Sequence, residues 1–142
     1  AAKQVERDID AQKKIEKQKQ ERYNKKKEEA IQLIKSDTTS KSINRGHQNK
    51  HIKDSDGYIE GRSYIFGTLE DAQELVDRYH GTGEVKLTAS IEWTHKEFVV
   101  ADEPIGVWID NTTGKEYETR RFSIHYGKKG THIVPAKEVE EE

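Results

Sequence analysis

The sequence predicts an α+β fold, in which an N-terminal helical arm precedes one or more helices packed on an antiparallel meander sheet. Three observations predict it. Residues 1–35 contain neither Gly nor Pro and are dominated by Lys, Glu, Gln, Arg and Ala, all good helix formers. Later in the chain the hydrophobic period changes from helical to alternating. Apolar residues are also unevenly divided: residues 1–42 hold 11 of them with one aromatic, Tyr23, while residues 43–142 hold 33, with ten aromatics and all six histidines. The whole chain is 142 residues long, 37% charged and 31% apolar. The first part can bury almost nothing, and the second can build one small core.

The arm, residues 1–35, carries apolar residues at Val5, Ile9 and Ile15 and again at Ala30, Ile31, Leu33 and Ile34, with a long charged stretch between. Glu6 and Asp10 repel, Glu21 and Lys25 attract, and the apolar spacing is too sparse for a heptad seam, so the arm reads as a solvated connector helix. Residues 36–46 read as a flexible linker by composition. The α+β domain follows over 47–136. A short strand at 63–67 leads to a helix over 69–79, with Thr68 as N-cap, Asp71 in the first turn and a stripe of Ala72, Leu75, Val76 and Tyr79 ended by Gly81. Strands then follow at 85–89, 91–100, 105–109, 117–126 and 131–136, separated by turns at 111–114 and 127–130. Residues 137–142 form an acidic tail, which composition marks as disordered.

Charge follows the same division. Residues 1–42 sum to +4 and residues 43–142 to −6, from 12 basic against 8 acidic residues and 13 against 19. A net-acidic domain is not a dedicated nucleic-acid-binding module, although it can still hold a locally positive cleft. No apolar run is long enough to span a membrane, and no secretion signal is visible. The absence of cysteine excludes disulfides, thiol catalysis and thiolate metal sites. The chain opens at Ala1 with helical sequence already running, and reads as a piece of a longer polypeptide.

Chemistry concentrates in the last hairpin. With the turn centred on Lys128 and Lys129, Tyr126 faces Thr131, His125 faces His132 and Ile124 faces Ile133. Phe122, Ile124 and Tyr126 then share the buried face, while Thr119, Arg121, Ser123 and His125 share the polar one. Two imidazoles, an arginine and a hydroxyl on one open face suit RNA cleavage without a metal ion. That reaction needs a base for the ribose 2′-OH, an acid for the leaving 5′-oxygen, and cations for the phosphorane. A second cluster joins Arg45, His47, Lys50 and His51 to Arg62 and Ser63. His47 and His51 at i,i+4 are half of a zinc pattern, but no supporting carboxylate motif accompanies them. The reading therefore calls for no metal and no cofactor.

The stretches 48–52 (Gln-Asn-Lys-His-Ile), 61–65 (Gly-Arg-Ser-Tyr-Ile), 81–83 (Gly-Thr-Gly), 113–117 (Thr-Gly-Lys-Glu-Tyr) and 130–135 (Gly-Thr-His-Ile-Val-Pro) resemble the bacterial polymorphic toxin type 50 domain, over about residues 43–136. The resemblance implies a predicted ribonuclease toxin with a barnase/EndoU/RelE-like fold of helices on an antiparallel sheet. Such domains are often found at the C-terminus of phage minor capsid or head-morphogenesis proteins, and residues 4–9 and 12–15 are similar to the helix that precedes them there.

Carried over by position, the resemblance implies His51 and His132 as the acid/base pair, unassigned as to which is which. Arg121, Lys50 and Arg62 would neutralise the phosphate, and His125, Ser63 and Thr131 would orient these groups, with Tyr126 joining Arg62, Ser63 and Thr131 against the substrate. The expected activity is a metal-independent endoribonuclease leaving a 2′,3′-cyclic phosphate. Its expected partners are RNA, an immunity protein and, through the upstream region, phage capsid or portal components, with no membrane. Its expected place is the bacterial cytoplasm or the virion, with delivery into a target cell. The rival reading is a non-enzymatic phage minor capsid structural or interaction module.

Overall fold

The computed structural model describes residues 2–139. Its first element is a single helix, α1 (Ala2–Lys35), exposed along most of its length. Only its last turns find a core: Ala30 and Ile34 are buried, with Ile31 packed beside them. That is where the arm's apolar residues cluster, and where helix packing can supply stability that propensity alone does not.

After the turn that ends α1, residues 41–44 run along the domain rather than away from it. Ile43 bridges Thr131 in parallel register, and its N–H donates to Gln73 Oε1 at 2.8 Å. Asn44 N–H donates to Thr131 O at 2.7 Å, and Thr131 N–H returns a bond to Ser42 O at 2.9 Å. Gly130 makes this approach possible: its φ is +117°, and a Cβ there would sit 2.8 Å from Ser42 O. A Ser, Thr, Asn-rich stretch read as a linker by composition thus carries backbone hydrogen bonds.

Asn44 then caps the short helix α2 (Arg45–Asn49), its side chain accepting from His47 N–H at 3.0 Å. A two-residue strand, β1 (Tyr64–Ile65), precedes α3 (Leu69–Tyr79). The expected cap of α3 is present as a full capping box: Asp71 N–H donates to Thr68 Oγ1, and Thr68 N–H donates to Asp71 Oδ2.

The remaining strands are β2 (Glu84–Leu87), β3 (Trp93–Val100), β4 (Gly106–Ile109), β5 (Glu116–Thr119), β6 (Arg121–Gly127) and β7 (Gly130–Pro135). All pair antiparallel, so the α+β class holds. They form two sheets rather than one meander, ordered β2-β3-β6-β7 and β1-β4-β5.

The stretch 117–126, expected as one strand, breaks at Arg120 and belongs to both sheets. Thr119 makes the break: its hydroxyl donates to Ala136 O at 2.7 Å and accepts from Arg121 N–H at 3.0 Å. Thr119 is therefore buried on the second sheet and does not join Arg121, Ser123 and His125 on the polar face. The stretch 91–100 also starts late. Ile91 and His95 have φ near +63° and +64°, and the β2–β3 register slips between Val85 and Leu87. Positive φ at β-branched Ile91 marks a strained turn.

Core residues of the larger sheet, among them Val85, Val99, Phe122, Ile124 and Ile133, pack with Ala72 and Val76 of α3 and the end of α1. Buried among them, Glu97 accepts from Gly81 N–H, Gly83 N–H and the Tyr126 hydroxyl. A buried carboxylate with three donors is tolerable where an unpaired one would not be. At the other end, Glu138 pairs with Arg120, and Lys137 O accepts from Arg121. Val139 is exposed, and residues 140–142 of the expected acidic tail lie outside the described residues.

Candidate functional site

The β6–β7 ladder has the expected register: His125 faces His132, Tyr126 faces Thr131 and Ile124 faces Ile133. The two imidazoles lie 4.6 Å apart between ring centroids. Ser123 Oγ is 2.8 Å from His125 Nε2 on the same face.

The second pair of histidines arrives from α2 and the loop after it. Gln48 brings them. Its side chain is fully buried and pairs with both backbone groups of Ile133, donating from Nε2 to the carbonyl at 3.0 Å and accepting from the N–H at 2.7 Å. One side-chain amide thus acts as the next strand at the edge of β7. His47 and His51 flank Gln48 in sequence and stack toward His132, with centroid distances of 5.4 and 6.4 Å.

His51 is 6% exposed, and two bonds fix it. Its carbonyl accepts from Ile65 N–H, and its ring Nδ1 is 2.8 Å from Ser63 O. A carbonyl can only accept, so Nδ1 carries the proton and the neutral ring keeps its lone pair on Nε2.

Burial is the leading cause that pushes these imidazoles toward the neutral form. His125 is lowered to about 4, with Lys96 and His51 adding repulsion. His132 is lowered to about 3 by burial and by its three histidine neighbours. His51 moves the same way through burial, opposed by its bond to Ser63 and reinforced by Arg62 and Lys50. Among the described residues, no group of three or more His, Cys, Asp or Glu is arranged to hold a metal ion.

The expected residues divide. His51, His132 and His125 come together, with exposed Lys50 and Arg62 close enough to repel the His51 charge. Ser63 contributes its carbonyl, while its hydroxyl accepts from Ile109 N–H at 2.9 Å. Thr131 and Tyr126 are buried on the opposite face: Thr131 donates to His125 O and Tyr126 to Glu97. Arg121 shares the histidine face but is held away from the rings. Its guanidinium lies 4.3 Å over the Phe98 ring and donates to Lys137 O.

Two contributors escaped the sequence reading. In the sequence Gln48 stands only within a motif, since nothing in its neighbours says that it meets a strand edge 85 residues away. Lys96 stands opposite His125 across the β3–β6 ladder. That pairing skips two strands, so no hairpin turn signals it.

A family model described as Bacterial toxin 50 matches residues 43–135. The chain belongs to this family. The match to Bacterial toxin 50 spans both halves of the histidine group and leaves all of α1 outside it. No curated protein matches the chain. No helix among the described residues of this toxin-family chain is long and apolar enough to cross a membrane.

Proposed function

We propose that this toxin-family chain is an endoribonuclease that cleaves RNA without a metal ion. The observation that carries the reading is the meeting of His51, His125 and His132 from two separate parts of the chain, with Lys50, Arg62 and Lys96 around them. In this reading Nε2 of His51, aimed by the Ser63 carbonyl, takes the proton of a ribose 2′-OH. The 2′-oxygen then attacks the adjacent phosphorus, and the bond from phosphorus to the 5′-oxygen breaks. His132 gives its proton to that oxygen, leaving a 2′,3′-cyclic phosphate and a 5′-hydroxyl. The bound phosphate supplies the negative charge that His132 needs to hold a proton at neutral pH. Lys50, Arg62 and Lys96 stabilise the charge that develops on the phosphorane.

The partners in this reading are RNA and an immunity protein, which a toxin of this kind needs in the cell that makes it. The exposed arm, with Val5, Ile9 and Ile15 all open to solvent, would attach the domain to phage capsid or portal components before delivery into a target cell.

The test uses the full chain, because Ala30 and Ile34 belong to the core. The chain is incubated with total RNA in EDTA beside His51→Ala and His132→Ala. Cleavage by the parent alone, leaving cyclic-phosphate ends, is expected. Intact RNA from a folded parent would overturn the reading and leave a binding module.

A further inference from the structure

The histidines occupy only part of their sheet face. The β3–β6 ladder sets Lys96 opposite His125, Phe98 opposite Ser123 and Val100 opposite Arg121. Opposed residues project to the same side, so this face continues from the imidazoles through Lys96 and Phe98 to Arg121 and Val100. It ends in apolar surface open to solvent: Val100 is 58% exposed and Phe98 is half-buried. The Arg121 guanidinium lies over the Phe98 ring, its Cζ 4.3 Å from the centroid, and is anchored by its bond to Lys137 O at 3.0 Å. It takes part in none of the ion pairs among the described residues, so its charge is not neutralised by a carboxylate there.

We infer that Phe98 and Arg121 form a stacking subsite for a nucleobase of single-stranded RNA, adjacent to the phosphate held at the histidines. The inference rests on the ribonuclease reading. A planar cation held on an aromatic ring gives a flat, positively charged surface, which takes any base by its π-face and attracts the neighbouring phosphate. Its place fits the same strand of RNA. Phe98 lies two residues along β3 from Lys96, about 7 Å at the usual rise, which is of the order of one nucleotide step. The subsite also gives Arg121 a role that its position allows, since its guanidinium is bonded away from the imidazole rings.

The experiment compares cleavage, by the full chain, of an RNA tetranucleotide with that of the same tetranucleotide made abasic on both sides of the scissile phosphate, as the kcat/KM of the first divided by that of the second. Phe98→Leu keeps apolar bulk but removes the π-face, and is expected to lower that ratio about 5-fold to 100-fold. Phe98→Trp should restore it, and Arg121→Lys, which keeps charge without the plane, should lower it. A Phe98→Leu protein with the parent's ratio would overturn the subsite while leaving the ribonuclease standing.

If the parent cleaves neither substrate, the ribonuclease reading fails and binding decides the subsite. The probe is then a 2′-O-methyl oligonucleotide, which has no nucleophile, followed by fluorescence anisotropy. Binding by the parent that Phe98→Leu weakens by the same factor supports the subsite. Equal binding by both, or none by the parent, overturns it. Matching unfolding midpoints for parent and variants exclude a folding defect as the cause.

Discussion

The two halves of the histidine group are held by different kinds of bond. His125 and His132 ride on β6 and β7, whose backbone ladder fixes them whatever the neighbouring side chains are. His47 and His51 sit on a five-residue helix and the loop after it, and single bonds rather than a ladder position them: the Asn44 cap, the Gln48 amide, and the bonds of His51 to Ile65 N–H and the Ser63 carbonyl. The first half is robust to substitution, while the second depends on a few polar atoms. The difference teaches that the vulnerable part of this site is the seam between α2 and β7.

Breaking that seam should have the largest effect. Gln48→Leu leaves the buried N–H and C=O of Ile133 without partners, at roughly 1–3 kcal/mol for each group. Urea unfolding should show a loss on the order of 3 kcal/mol. Amide signals of α2 should also shift more than those of β6. A variant as stable as the parent would show that the ladder alone holds both halves.

Acid sharpens the comparison next. In the unfolded chain histidine titrates near 6.5, whereas folded His125 and His132 titrate at about 4 and about 3. Above that window both states are neutral and proton binding does not oppose folding. As pH falls through it, the unfolded chain takes up protons that the folded one refuses, so stability drops. Unfolding free energies measured from neutral pH to about 4 should fall steeply, and less steeply in His132→Gln. Equal slopes would mean that His132 titrates normally in the fold.

Asn44→Ala removes the cap of α2 and should lower stability by about 1 kcal/mol, read as a shifted urea midpoint. Ser63→Ala should have the smallest effect. It takes an acceptor from Ile109 N–H, roughly 1 kcal/mol or less, and leaves the Ser63 carbonyl in place. The NMR titration of His51 should therefore keep its parent midpoint in Ser63→Ala. A shifted midpoint would mean that the hydroxyl, rather than the carbonyl, governs that ring.

The same division explains what could be read from the sequence. Alternation from Phe122 to Tyr126 and the Gly-Lys-Lys-Gly turn set the register that brings His125 to His132, because one buried face permits no other. Thr68 and Asp71 likewise announced α3 through a local rule. Where residues distant in sequence decide, local rules do not reach. Thr119 bends an otherwise regular strand by bonding to Ala136, and alternation alone carries no sign of that bond. Parity correctly places Arg121 on the histidine face, but Phe98 and Lys137, which parity does not show, determine where its guanidinium lies. Tyr126 and Thr131 stand in motif positions yet point into the core, where the sheet's pleat sends them.

The burial of Ala30 and Ile34 has a mechanical consequence. A 34-residue helix, about 50 Å long, is rooted in the hydrophobic interior of the domain it leads into. A helix anchored in this way is a lever rather than a tether. Whatever grips its far end fixes the heading of the histidine face as well as its distance, and a sideways load there is delivered to Ile34 instead of being absorbed by slack chain.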